Sequence, residues 1–242
     1  MITYSMLGNN GRLTNQIFQI AATIGLARRN NDSFILPPWQ YENDFNLHNC
    51  FGHVTKTHTY TEPHFQYANI PYHNTNGMIL DLAGYYQDFR YIDHCKDEVI
   101  NLLTPVHHFE RESGLCAIHW RVGDYINFQD CHPLMTREYF EKAMELSGCH
   151  KFLIFSDSMH MAKDMFRGNQ FEFSEGNSPT VDMALMSKKC EHNIISNSSF
   201  SLWAAFINKS PNKKVIGPIK WFGEKLNYHD TSNLLLPEWV KI

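Results

Sequence analysis

Three polar clusters stand where apolar runs stop. His119, Arg121 and Asp124 follow the run at 115–119, Ser156 and Asp157 follow 151–155, and Asn197, Ser198 and Ser199 follow 192–196. These types suit a nucleoside diphosphate. An arginine offers a planar fork of donors that matches phosphate oxygens. Two serines at a helix start, with the backbone N–H of Phe200, supply further anion donors. A carboxylate accepts well from the N–H groups of a guanine, and Asp157 and Asp182 are the candidates. Each residue also has a plainer role: Ser198 as a helix cap, Asp157 as a turn former, His119 as a satisfied buried histidine. Their shared position at strand ends is what groups them.

No HExxH, no paired CxxC and no D-x-D pair occurs in the chain. No metal is expected, so neutralising a diphosphate falls to Arg121. The 14 histidines match no ligand spacing, and His107-His108 reads as a surface or linker pair. There is no nucleophile elbow and no P-loop.

The elements that must position these residues alternate. Strands are predicted at 115–119, 151–155, 171–173, 192–196 and 213–217, with helices at 138–147, 158–166, 181–189 and 198–209 between them. That order implies βαβ units and a parallel sheet, with ligands beyond the carboxyl ends of its strands. The first half opens with a strand at 2–7, a glycine-bearing turn at 8–11 and a helix at 14–30 that Thr14 could cap. A strand at 33–36 stops at Pro37-Pro38. Residues 39–78 lack periodicity and read as a loop-rich acceptor surface or lid. A helix is expected over 88–103, and 104–113 is the candidate linker.

The chain has 242 residues, 43% apolar, 19% charged and 14% aromatic, enough for a sizeable core and unlike a disordered chain. Its formal net charge of −4 and lack of a basic block give no support to nucleic-acid binding. No apolar run approaches about 18 residues, so no membrane span is expected. The first residues read as a strand and not a signal peptide. Six scattered cysteines read as free thiols. A cytoplasmic protein is expected, with peripheral membrane association left open.

Four blocks resemble the α-1,2-fucosyltransferase family, glycosyltransferase family 11. Residues 11–19 (GRLTNQIFQ) look like its G-R-L-G-N-Q-M-F-Q, and 84–87 (GYYQ) like its G-Y-F-Q. Residues 119–125 (HWRVGDY) resemble H-x-R-R-G-D-Y, and 182–208 resemble its long D-x-x-L-M-S block through N-S-S-F-S, continued by Lys220-Trp221-Phe222. The resemblance implies a GT-B architecture, two facing Rossmann-like domains with the donor site in the cleft. The domains would be 1–110, on the acceptor side, and 111–242, binding GDP-fucose. It implies inverting transfer of L-fucose from GDP-β-L-fucose without a metal, to a glycan acceptor such as a terminal β-galactoside. Arg121 would hold the diphosphate, with His119 and Asp124 shaping its pocket. Asn197, Ser198, Ser199 and Phe200 would bind phosphate and nucleotide. Arg12, Asn15 and Gln16 would approach the donor from the other domain, Asn15 near the chemistry. Thr14, Val122, Ser158 and Leu202 depart from the pattern, and the region from about 40 to 110 is compressed. Two rivals remain at this stage: a fucosyltransferase of α-1,6 or protein type, and a degenerate nucleotide-sugar or glycan-binding protein.

Overall fold

The computed structural model describes residues 1–55, 57–72 and 77–242. The chain divides into two compact units, Met1–Val106 and His107–Ile242. Among the described residues no helix is long and apolar enough to cross a membrane.

In the first unit, β1 (Ile2–Thr3), α1 (Leu13–Arg29), β2 (Thr57–Thr61), β3 (Ile79–Ala83) and α2 (Lys96–Leu102) build a small α/β layer. Its sheet has the order β1-β3-β2 and every pairing is parallel. The strand expected at 2–7 is only two residues long, because Ser5 turns away and donates its N–H and hydroxyl to Asp81. Thr14 does not cap α1; it lies buried within the helix, and Arg12 holds the N-cap position. Residues 33–36 form only isolated bridges, Ile2 to Phe34 and Leu36 to Phe51, before the two prolines that cannot donate to a ladder. The expected loop at 39–78 contains β2, a mostly exposed strand whose alternation of Thr, His and Tyr carries little apolar signal. Residues 56 and 73–76 of that stretch lie outside the described residues. The helix expected over 88–103 is broken. Asp88 caps a 3₁₀ turn at Phe89–Tyr91, another follows at Asp93–Cys95, and α2 comes last.

The second unit holds β4 (Glu112–Trp120), α3 (Arg137–Ser147), β5 (Lys151–Ser156), α4 (Met159–Met165), β6 (Phe171–Phe173), α5 (Pro179–Ala184), β7 (Cys190–Ile194), α6 (Ser199–Ile207), β8 (Val215–Gly217) and β9 (Val240–Lys241). Its sheet runs β6-β5-β4-β7-β8-β9, wholly parallel. Counted from β4, that is the Rossmann order 3-2-1-4-5-6, whose switch point lies between β4 and β7. β4 is central, so residues 115–120 are all buried and its pattern is a run, not an alternation. α3 shows why a one-faced helix forms: Thr136 caps it, Phe140, Ala143 and Ser147 face inward, and Gly148 ends it at φ 71°. α6 is buried on all sides from Ser201 onward. The helix expected at 181–189 starts at Pro179 behind the Ser178 cap and widens into a π-turn at Leu185–Lys189.

Behind β7 a buried polar node ties sheet to helix. The Asn208 carbonyl accepts from Arg111 at 2.9 Å, and its amide donates to Asn193 at 2.8 Å and to the Cys190 carbonyl at 3.1 Å. Asn208 is 2% exposed and Asn193 is fully buried. Asn208→Ala strands several of these groups, so the second unit should lose about 3 kcal/mol of stability, read as a lower denaturant midpoint. An unchanged midpoint would show that the node carries no weight.

Candidate functional site

The carboxyl ends of β4 and β7 lie side by side, and the polar clusters meet there. His119 is the penultimate residue of β4, and Ser196 lies two residues past β7. Ser196 Oγ is hydrogen-bonded to His119 Nδ1 at 3.0 Å and accepts from the Arg121 backbone N–H at 3.3 Å. One hydroxyl thus ties the two strand ends together. Ser198 Oγ accepts from the Phe200 N–H and caps α6, and the Phe200 ring sits 5.3 Å from that of His119. The start of α6 is therefore beside β4.

Arg121 is held on several sides. One terminal nitrogen donates to Asp157 Oδ2 and the other to Asp124 Oδ1. Asp157 Oδ1 also accepts from the Val122 N–H at 2.9 Å. The guanidinium lies over the Tyr125 ring, 5.2 Å from its centroid. Tyr125 donates its hydroxyl to the Asn197 carbonyl at 3.1 Å and stacks on His132, 4.6 Å away and 14° from parallel. Gly123 leaves the room that Asp157 needs; a Cβ there would overlap its carboxylate. Two carboxylates and one ring fix a cation whose side chain is only 14% exposed. An arginine has five N–H donors, so the clamp leaves others for an anion.

Burial sets the electrostatics. His119 is 5% exposed, and desolvation lowers its pKa to about 4, against a raising effect from Asp157 and a further lowering from Arg121. His132 is lowered by burial too, with Asp124 opposing and Arg121 assisting. Both imidazoles are neutral at pH 7.

The remaining expected residues lie as follows. Asp157, offered as a guanine acceptor, is engaged by Arg121 and Val122. Asp182, the other candidate, accepts from Ser174 at 2.7 Å and from Asn177 at 3.3 Å, beyond the end of β6, and burial pushes its carboxyl up. The Asn197 amide donates to the carbonyls of Pro133 and Trp221, both at 3.0 Å, so it holds two loops in place. Ser199 opens α6. In the first unit, Gln16 is buried, donating to the Gly11 carbonyl at 2.9 Å and accepting from the Trp39 indole at 2.6 Å. Asn15 accepts from Gln87 at 2.8 Å, and the Arg12 side chain is exposed. Among the described residues no three His, Cys, Asp or Glu side chains gather as a metal site.

A family model described as "Glycosyl transferase family 11" matches residues 5–242. The chain belongs to that family. Two Escherichia coli relatives agree. An "O-antigen biosynthesis glycosyltransferase WbnK" is 29% identical over 186 residues, covering 66% of this chain and 60% of the relative. An "Alpha-1,2-colitosyltransferase" is 31% identical over 186 residues, covering 67% and 62%. The chain thus spans about three fifths of the length of the curated relatives it matches.

Three residues of the candidate site carry little or no signal in the sequence. Tyr125 ended a motif without a role. Ser196 read as the last residue of a strand. His132 has no periodic or motif signal, being seven residues past the ring on which it stacks. Only Tyr125, adjacent to the HWRVGD run, offered a clue.

His119 gives a test of the geometry. Unfolded, it protonates near its ordinary value of about 6.5; folded, it stays neutral down to about pH 4. The unfolded state therefore binds the extra proton, and stability is lost as pH falls from about 6.5 towards 4, by on the order of 3 kcal/mol. Denaturant unfolding across that window should show the loss, and His119→Asn should flatten it relative to the parent. Parallel curves for the two proteins would mean that His119 is not held neutral.

Proposed function

We propose that the protein is an inverting fucosyltransferase that transfers L-fucose from GDP-β-L-fucose to a sugar hydroxyl, in α-1,2 linkage to a terminal galactose. The observation that carries this reading is the Arg121 guanidinium, clamped by Asp157, Asp124 and Tyr125 at the switch point beside the start of α6. A fixed cation and a helix N-terminus are what a departing diphosphate needs. Family membership and the name of one relative support glycosyl transfer with α-1,2 geometry.

In this reading the C1–O bond to GDP breaks early, and the fucosyl group becomes oxocarbenium-like. Arg121 and the positive N-terminal end of α6 stabilise the diphosphate as its charge grows. The acceptor hydroxyl attacks from the opposite face, turning β into α, and its proton is released to solvent as GDP departs. Asp157 and Asp124 act through Arg121 by fixing its direction. His119 acts through Ser196, which joins the two strand ends. Asp182 is kept as the candidate for the guanine edge. No metal is required. The reading includes a GT-B arrangement, supported by the Rossmann strand order of the second unit and the parallel sheet of the first.

A second reading, transfer of a colitosyl group, is favoured by the name of the second relative. Both are tested by incubating the protein with GDP-fucose or GDP-colitose, a panel of galactosides and EDTA, then assigning the product linkage by NMR. An α-1,2-fucosyl product is expected. Turnover with GDP-colitose alone moves the conclusion to the second reading, and donor binding without turnover on any acceptor contradicts both. Arg121→Ala should lower kcat/KM by about 100-fold or more with an unchanged circular dichroism spectrum. Gly123→Ala should give a smaller loss in the same direction, because it displaces Asp157. Retention of most activity in Arg121→Ala would end this account.

A further inference from the structure

The first unit carries a carboxylate that the donor chemistry does not use. Glu62 follows β2 directly, beyond the carboxyl end of the β1-β3-β2 sheet. It accepts from the N–H of Tyr85 at 2.7 Å and of Tyr86 at 3.0 Å. A carboxylate has about four acceptor positions, so two backbone donors leave it unsaturated. Among the described residues no lysine or arginine pairs with it. Gly84, at φ +152°, lets it come close, since a Cβ there would overlap the Glu62 side chain. Tyr86 holds the turn, at φ +52°, with its ring fully buried and its hydroxyl on the carbonyls of Tyr60 and Ala83. That anchoring leaves its neighbour Tyr85 47% exposed, and Gln87 reaches Asn15. Burial pushes the Glu62 carboxyl up; Asp88 adds to this, and His64 opposes it. The phenols of Tyr4, Tyr86 and Tyr91 share its field.

The half-buried Glu62 carboxylate, with acceptor positions to spare, disfavours a phosphate. It suits a neutral, hydroxyl-rich ligand at the strand ends where α/β sheets bind, and an exposed tyrosine suits the C–H face of a sugar ring. We propose that Glu62 and Tyr85 form an acceptor-sugar subsite in the first unit, with the Glu62 carboxyl hydrogen-bonding hydroxyls of a neutral hexopyranoside and the Tyr85 ring covering its apolar face. This rests on the glycosyl-transfer reading for its purpose but concerns a different ligand.

The experiment is saturation-transfer NMR of the full chain with a panel of neutral galactosides, which needs no donor and no turnover, alongside calorimetric titration with GDP. Glu62→Gln keeps one acceptor oxygen for the backbone donors, and Tyr85→Ala removes an exposed ring. Each should weaken galactoside binding by about tenfold or more and leave GDP affinity unchanged. Galactoside contacts equal to the parent in both variants overturn the subsite, as does a parent chain that touches no member of the panel. A chain that binds galactosides through Glu62 yet transfers no fucose contradicts the donor reading alone.

Discussion

The ion pair between Arg121 and Asp157 is the contact on which the candidate site depends. It joins the end of β4 to the end of β5, and the same carboxylate holds the Val122 N–H. Arginine side chains are long and costly to order, so a guanidinium aimed at an anion needs restraint in advance. Here the restraint comes from Asp157 and Asp124 at its two terminal nitrogens and from Tyr125, whose ring it lies over. Gly123 is part of the same device, because any side chain would push Asp157 away.

The parallel sheet makes this arrangement available. β4 and β7 are adjacent although α3, β5, α4, β6 and α5 intervene in the chain. Their ends open at the switch point, and Ser196 closes the gap between them. Burial lowers the pKa of both His119 and His132, so the two imidazoles are neutral at pH 7 beside the charged guanidinium.

Much of this was legible in the sequence. Residues 115–120 and 152–155 are buried on both faces and announce themselves as apolar runs. α3 shows its cap, its inward face and its terminal glycine. The polar residues after each strand could be grouped by topology alone. Other parts were hidden for physical reasons. β2 is exposed and lacks an apolar alternation. The 88–103 stretch has helical spacing, yet Asp88 caps a 3₁₀ turn that interrupts it. Gln16 reads as a ligand-facing amide but is buried between Gly11 and Trp39. Asp157 could be named as a carboxylate at a strand end; that its partner is Arg121 depends on side-chain directions in three dimensions. His132 lies outside every motif and matters only through the ring it stacks on.

The central claim is that Arg121 reads the diphosphate. Calorimetric titration with GDP, GMP and guanosine tests it most directly, in the parent chain and in Arg121→Lys, which keeps the charge but loses the fork. The account predicts that affinity falls steeply from GDP to guanosine in the parent, and that this discrimination largely disappears in the variant. Equal discrimination in the two proteins, or a parent that binds guanosine as well as GDP, would contradict it.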